Sequence, residues 1–235
     1  MNLNTQLQLL AEYNQWQNQQ LYKAANELLY TDFKNNELFK MLQPYLAESF
    51  YIDWQQPAIL KQAQLLAANK SNTLDIARAC FEFVRDEIKH SADYRLNPVT
   101  CKASDVLKYQ TGYCYAKSHL LAALLRANHI PAGLCYQRLL IDDSAESGYC
   151  LHGLNAIYLE NYGWYRVDAR GNKIGVNAQF CPPHEQLAFA LNHPQEQDIT
   201  GIWAEPLADV IHTLITYTSY DLVLAHLPDW RGNTP

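Results

Sequence analysis

Three residues far apart in the chain, Cys114, His152 and Asp168, have the types that acyl chemistry requires. Cys114 lies in TGYCYAKSHLLAALLRANHIPAG, residues 111–133. A cysteine attacks carbonyls as its thiolate, and the partial positive charge of a helix N-terminus favours that form. The apolar spacing predicts a helix from about residue 113 to Asn128, with Pro131 blocking continuation, so Cys114 falls in its first turn. The same position also suits a small residue buried where a core helix begins. Position alone leaves both readings open.

A nucleophile of this kind needs a base. Of the eight histidines, His119 and His129 share the helix of Cys114, the first pointing elsewhere around it and the second at its C-terminal end. His90, His184, His193, His212 and His226 have no orienting group at a useful spacing. His152 differs: it opens the strand pattern LHGLNAIYL, and the following GWYRVDA carries Asp168 at its end. The two segments around ENY read as a hairpin. If the turn centres on Asn161, Asp168 lies opposite Leu154 and is a same-face diagonal neighbour of His152. If it centres on Tyr162, Asp168 lies opposite Ala156, about 13 Å along the strand from His152. The first register, or a bulged equivalent, is the prediction.

These residues need a scaffold. Residues 5–29 read as a Gln/Asn-rich helix with Leu7, Leu10, Leu21 and Leu28 at helical spacing, and 35–48 as a second helix ending near Pro44. Asn72 or Thr73 can cap a helix over 74–90, with Ala77, Cys80, Phe81, Val84 and Ile88 on one face. Ser104 is read as the cap of a short helix, SDVLKY, which Thr111-Gly112 breaks. GLCYQRLLI reads as a strand, DDSAESG as a loop, and residues 175–206 as loop-rich. PLADVIHTLITYTSYDLVLAHL reads as helix with a break near Ser219. Helices followed by antiparallel strands give an α+β plan.

Composition narrows the function. A 235-residue chain that is nearly half apolar can bury a sizeable core. Its net charge of −6, with no basic run, argues against a nucleic-acid partner. MNLNTQLQLLAEYNQWQNQQ has neither a basic n-region nor an apolar h-region, and no stretch is apolar enough to span a bilayer. A cytoplasmic protein with no membrane partner is the expectation. The cysteines Cys80, Cys101, Cys114, Cys135, Cys150 and Cys181 form no CxxC pair, so free thiols are expected. HExxH, a P-loop, GxGxxG and an EF-hand loop are absent, and Asp142-Asp143 reads as a solvated loop. No metal and no cofactor are expected.

The blocks GYCYAKSHLLAALLRANHIPAG, LHGLNAIYL and GWYRVDARG, in this order, resemble the transglutaminase-like core, most closely in bacterial stand-alone members. The resemblance covers about residues 74–185 and is most specific over 112–172. It implies a papain-like fold, with a central helix carrying the cysteine packed on an antiparallel sheet and extra N- and C-terminal helices. By the same resemblance residues 1–48 form an N-terminal helical segment and 49–235 the transglutaminase-like domain. It implies Cys114 as nucleophile, His152 as base and Asp168 as the group that orients the imidazole. The backbone N–H of Cys114 is an oxyanion donor, and Gln110 is a candidate second one, since related papain-like folds place a glutamine shortly before the cysteine. Tyr113 and Tyr115 flank the cysteine and are candidates for lining a substrate cleft. Arg166 and Arg170 flank Asp168 and either pair with carboxylates or sit in solvent.

The family often reads His-Ala-Trp where this chain has His152-Gly153-Leu154, and Asp-Pro-Thr where it has Asp168-Ala169-Arg170. The missing aromatic affects how an acyl donor or leaving group is held. The implied activity is a cysteine enzyme acting on amide bonds of a peptide or protein substrate through an acyl-thioester, a protease- or amidase-type hydrolase. A transamidase acyltransferase and a non-catalytic interaction protein of the same fold are the alternatives. Oligomeric state is left open.

Overall fold

The computed structural model describes residues 37–142 and 147–230. The helix expected over 5–29, most of the loop DDSAESG and the last five residues lie outside that range. The chain divides between Gln43 and Pro44. On the N-terminal side the described part is a short helix, α1 (Glu37–Leu42), with no buried residue. It ends at Leu42, before the 48 expected, and passes into a 3-10 turn over Gln43–Tyr45.

From Pro44 onward, α2 (Pro57–Ala67), α3 (Thr73–Glu87) and α5 (Ala103–Tyr109) pack around the central helix α6 (Cys114–Ala127). The first turn of α3 is fixed by Asn72, whose Oδ1 accepts from Asp75 N at 2.8 Å. Ala77, Cys80, Phe81 and Val84 line its buried face. The other expected cap is different. Ser104 is already inside α5, and its hydroxyl donates to Asp53 Oδ2 at 2.6 Å while its N–H donates to Oδ1 at 3.0 Å. Asp53, distant in sequence, therefore satisfies donors that the expected local cap would have served.

Every residue of α6 from Cys114 to Arg126 is buried. A helix covered all round must be apolar or must satisfy its polar groups internally. Lys117 donates to the carbonyls of Ile88 and Arg85, at the end of α3. Nδ1 of His119 lies 2.7 Å from the Cys101 carbonyl. Arg126 donates to the carbonyls of Ala47, Ala132 and Ala204, which belong to three separate stretches of chain. Burial pushes Lys117 down to about 7 and His119 down to about 4.

The helix packs on strands β3 (Ala132–Leu140) and β4 (Tyr149–Leu159) of a four-stranded antiparallel sheet. Strand order is β5-β4-β3-β8, with β5 (Gly163–Val167) and β8 (Gln197–Trp203) at the edges. Asn155↔Val167 through Leu159↔Gly163 centre the β4–β5 turn on Asn161, the register expected from the sequence. Two findings depart from the expected layout. Thr111–Gly112 is strand β2, paired in parallel with β1 (Lys89–His90), so that His90 lies opposite Gly112. The stretch read as loop holds the hairpin β6 (Gln179–Cys181) and β7 (His184–Gln186) and the edge strand β8. A register shift between Leu134 and Tyr136 and a glycine, Gly201, interrupt the alternation that would have marked β8.

Short helix α4 (Ser91–Tyr94) follows β1. The C-terminal part forms α7 (Ala208–Thr216) and α8 (Tyr220–Ala225), separated at Tyr217–Ser219 as expected. Among the described residues no helix is long and apolar enough to cross a membrane.

Candidate active site

Cys114 is the first residue of α6, after Tyr113 in extended conformation. Its backbone N–H is among those a helix leaves without an intrahelical acceptor. The thiol is 7% exposed and accepts a hydrogen bond from Gly153 N at 3.4 Å. A side chain at 153 would crowd this contact. A Cβ there would stand 3.0 Å from both Cα and Cδ1 of Tyr115, so Tyr115 would have to give by a few tenths of an ångström. The His152-Gly153-Leu154 departure thus brings β4 directly against the first turn of α6.

His152 and Asp168 meet as the hairpin register requires, with Nε2 2.7 Å from Oδ2. Asp168 is fully buried and takes two further hydrogen bonds, from Arg170 N at 3.1 Å to Oδ1 and from Ala188 N at 3.1 Å to Oδ2. Burial alone would raise its carboxyl, but the His152 charge and these donors hold it below the usual carboxylate range. An ionised carboxylate only accepts, so Nε2 is the donor and Nδ1 is left to the thiol. Burial pushes the His152 imidazolium down. The Asp168 charge, the Cys114 charge and hydrogen bonds to both outweigh it, and the result is raised from 6.5 to about 10. Phe189 packs edge-on against the imidazole, with centroids 5.0 Å apart at 88°.

A cleft of about 380 Å³ opens on Cys114 and His152. Tyr113 and Tyr115 line it, but their hydroxyls point to structural tasks, donating to the carbonyls of Tyr220 and Leu151. Gln110 does not line it. It is the exposed, left-handed C-cap of α5 with φ 52°, and its carbonyl accepts from Lys89 N. Arg166 pairs with Glu185 and Asp198, each at 2.7 Å. Arg170 forms a two-pronged pair with Asp93 at 2.6 and 3.0 Å, and Lys173 joins the same carboxylate at 2.7 Å. His90 forms another part of the wall; burial first, then the Arg170 charge, keeps its imidazole well below its usual range. All six cysteines are free.

Ala188, Phe189 and Asp93 were not singled out by sequence, and His90 was set aside for want of an orienting group. Ala188 contributes only a backbone N–H, which carries no residue-type signal. Asp93 could have been sought as the carboxylate partner of Arg170.

The family described as the Transglutaminase-like superfamily matches residues 61–169, a span that contains Cys114, His152 and Asp168. These residues form a transglutaminase-like core. Among solved structures, the transglutaminase-like core is similar to a Cytophaga hutchinsonii protein provisionally described as a cysteine protease. Identity is 20% and the TM-score 0.46, over 55% of this chain and 42% of that one. It is also similar to the periplasmic domain of TgpA from Pseudomonas aeruginosa, at 18% identity and a TM-score of 0.43, over 55% of this chain and 46% of that one. The chain thus spans less than half the length of these relatives. No curated protein matches it.

Proposed function

We propose that the protein is a cysteine hydrolase of amide bonds, with Cys114 as nucleophile, His152 as general base and acid, and Asp168 as the group that orients the imidazole. The observation that carries this reading is the 2.7 Å His152–Asp168 hydrogen bond on an imidazole whose other side meets a thiol at a helix N-terminus.

The Cys114 thiolate attacks the substrate carbonyl and a C–S bond forms. The oxyanion accepts from the Cys114 backbone N–H. His152 gives its proton to the departing nitrogen as the C–N bond breaks, leaving an acyl-thioester. Neutral His152 then takes a proton from water, whose oxygen attacks the thioester. The C–S bond breaks, the acid leaves and the thiolate–imidazolium pair is restored. Asp168 stays ionised throughout, holding the tautomer and stabilising the imidazolium. A peptide or protein is the substrate class.

Intact-mass measurement after incubation with a peptide and amide library tests this. Acyl adducts are expected on wild type and absent on Cys114→Ala. Adducts on another cysteine, or none, would remove the reading. Adding a primary amine then identifies the acceptor, since release as the free acid marks hydrolysis.

A further inference from the structure

The wall of the cleft beside Cys114 combines two unlike sets of residues. One is His90, Asp93 and Arg170. The charges there are spent on each other: Asp93 takes both prongs of Arg170 and also Lys173. The other is aliphatic, built from Leu139 and Ile141 at the end of β3, Leu151 on β4, and Leu224 and Leu227 at the end of α8. Ile141 and Leu224 remain 45% and 48% exposed. Large aliphatic side chains at the mouth of a cleft gain when a substrate group covers them.

This wall is tied to the nucleophile. The hydroxyl of Tyr113, the residue before Cys114, donates to the Tyr220 carbonyl at the start of α8. Tyr220 N in turn donates to Asn97 Oδ1 at 2.8 Å, and Leu151 N donates to the Pro228 carbonyl at 2.7 Å. The leucines of α8 therefore keep a fixed position relative to the thiol. The volume, about 380 Å³, sits at the low end of small-ligand sites, about 300–1,000 Å³. It suits a side chain or a short acyl group.

We propose that this aliphatic wall makes the cleft an acyl-group pocket selective for uncharged aliphatic donors, with Ile141 and Leu224 setting the selectivity. The inference rests on Cys114 being the nucleophile. A carboxylate or ammonium entering the pocket would lose its water and find no unpaired opposite charge in the aliphatic wall.

The test uses the full chain and p-nitrophenyl esters of acetic, butyric, hexanoic and glutaric acid, each normalised to its rate with a free thiol. Thiolate attack forms the C–S bond, breaks the C–O bond and releases p-nitrophenolate, which reads acylation directly. Acylation is expected to rise from acetate to hexanoate by up to about fourfold per methylene. The glutarate hemiester is expected to fall below butyrate. Leu224→Ser and Ile141→Ser, checked for folding by thermal unfolding, should flatten the rise. If a variant does not fold, the wild-type series decides alone. A Cys114-dependent burst with equal rates for all esters, or the fastest rate for glutarate, overturns the pocket and leaves the nucleophile standing. Equal p-nitrophenolate release by wild type and Cys114→Ala overturns the nucleophile, and the pocket with it.

Discussion

The backbone N–H of Gly153 donates to the Sγ of Cys114 at 3.4 Å. The strand residue next to His152 therefore holds the Cys114 thiol. One contact between β4 and α6 thus sets Cys114 beside His152, and a Cβ at position 153 would crowd it.

Gly153→Ala should separate the two groups without removing either. Its Cβ would force Tyr115, and with it the start of α6, away from β4. Misplacement by a fraction of an ångström to 1 Å predicts a loss of about 10- to 100-fold in acylation rate. Iodoacetamide kinetics and far-ultraviolet circular dichroism check this; a fully active, folded Gly153→Ala variant contradicts it.

Alkylation should be selective. Burial pushes the thiols of Cys80, Cys101, Cys135 and Cys150 up to about 12. Cys114 instead lies beside the His152 imidazole, which its charge helps to keep protonated, and accepts a hydrogen bond from Gly153. At pH 6, peptide mapping after limiting iodoacetamide is expected to find Cys114 modified ahead of these four. Equal labelling of all five counts against a poised thiol.

Asp168→Asn should cost both chemistry and stability. An asparagine there cannot accept from His152, Arg170 N and Ala188 N as the carboxylate does. Loss of imidazole orientation predicts an activity fall of about 10³- to 10⁴-fold. A buried donor facing another donor predicts a stability loss of about 1–3 kcal/mol. Turnover and urea denaturation measure the two effects separately.

The pH dependence of stability has a defined sign. His152 holds its proton more tightly in the folded state, so its contribution is complete below about 6.5 and disappears as pH rises through about 10. Asp168 has a depressed folded value, so its contribution is present above the ordinary carboxyl range and is lost as pH falls through the folded one. The stability gap between wild type and Asp168→Asn should therefore be largest between the ordinary carboxyl range and about pH 6.5, and narrow towards pH 10. Denaturation midpoints at pH 6, 8 and 10 read this; a gap that widens over that range would contradict the ion pair.

The parts of this site that depend on side-chain type and periodicity were legible in the sequence. The apolar run after Cys114 marked the central helix, and of the two turn centres the hairpin pattern allowed, the one that brings Asp168 within reach of His152 is the one found. The rest depends on backbone atoms and distant partners. The Ala188 N–H that fixes Asp168 lies in a stretch with no strand pattern, and β8 is hidden by its register shift. Ser104 showed a capping residue type, but its partner is Asp53. Gln110 had a plausible spacing, and its left-handed backbone places it outside the cleft.

Arg126 sits at the opposite end of α6 from Cys114. Twelve residues of helix make a rod of about 18 Å between them. The guanidinium grips Ala47, Ala132 and Ala204, so it fixes how far the rod is pushed along its own axis. Sliding that rod would move the thiol past the imidazole, like a bolt drawn out of line with its catch. The alignment of thiol and imidazole is thus held at the opposite end of the helix.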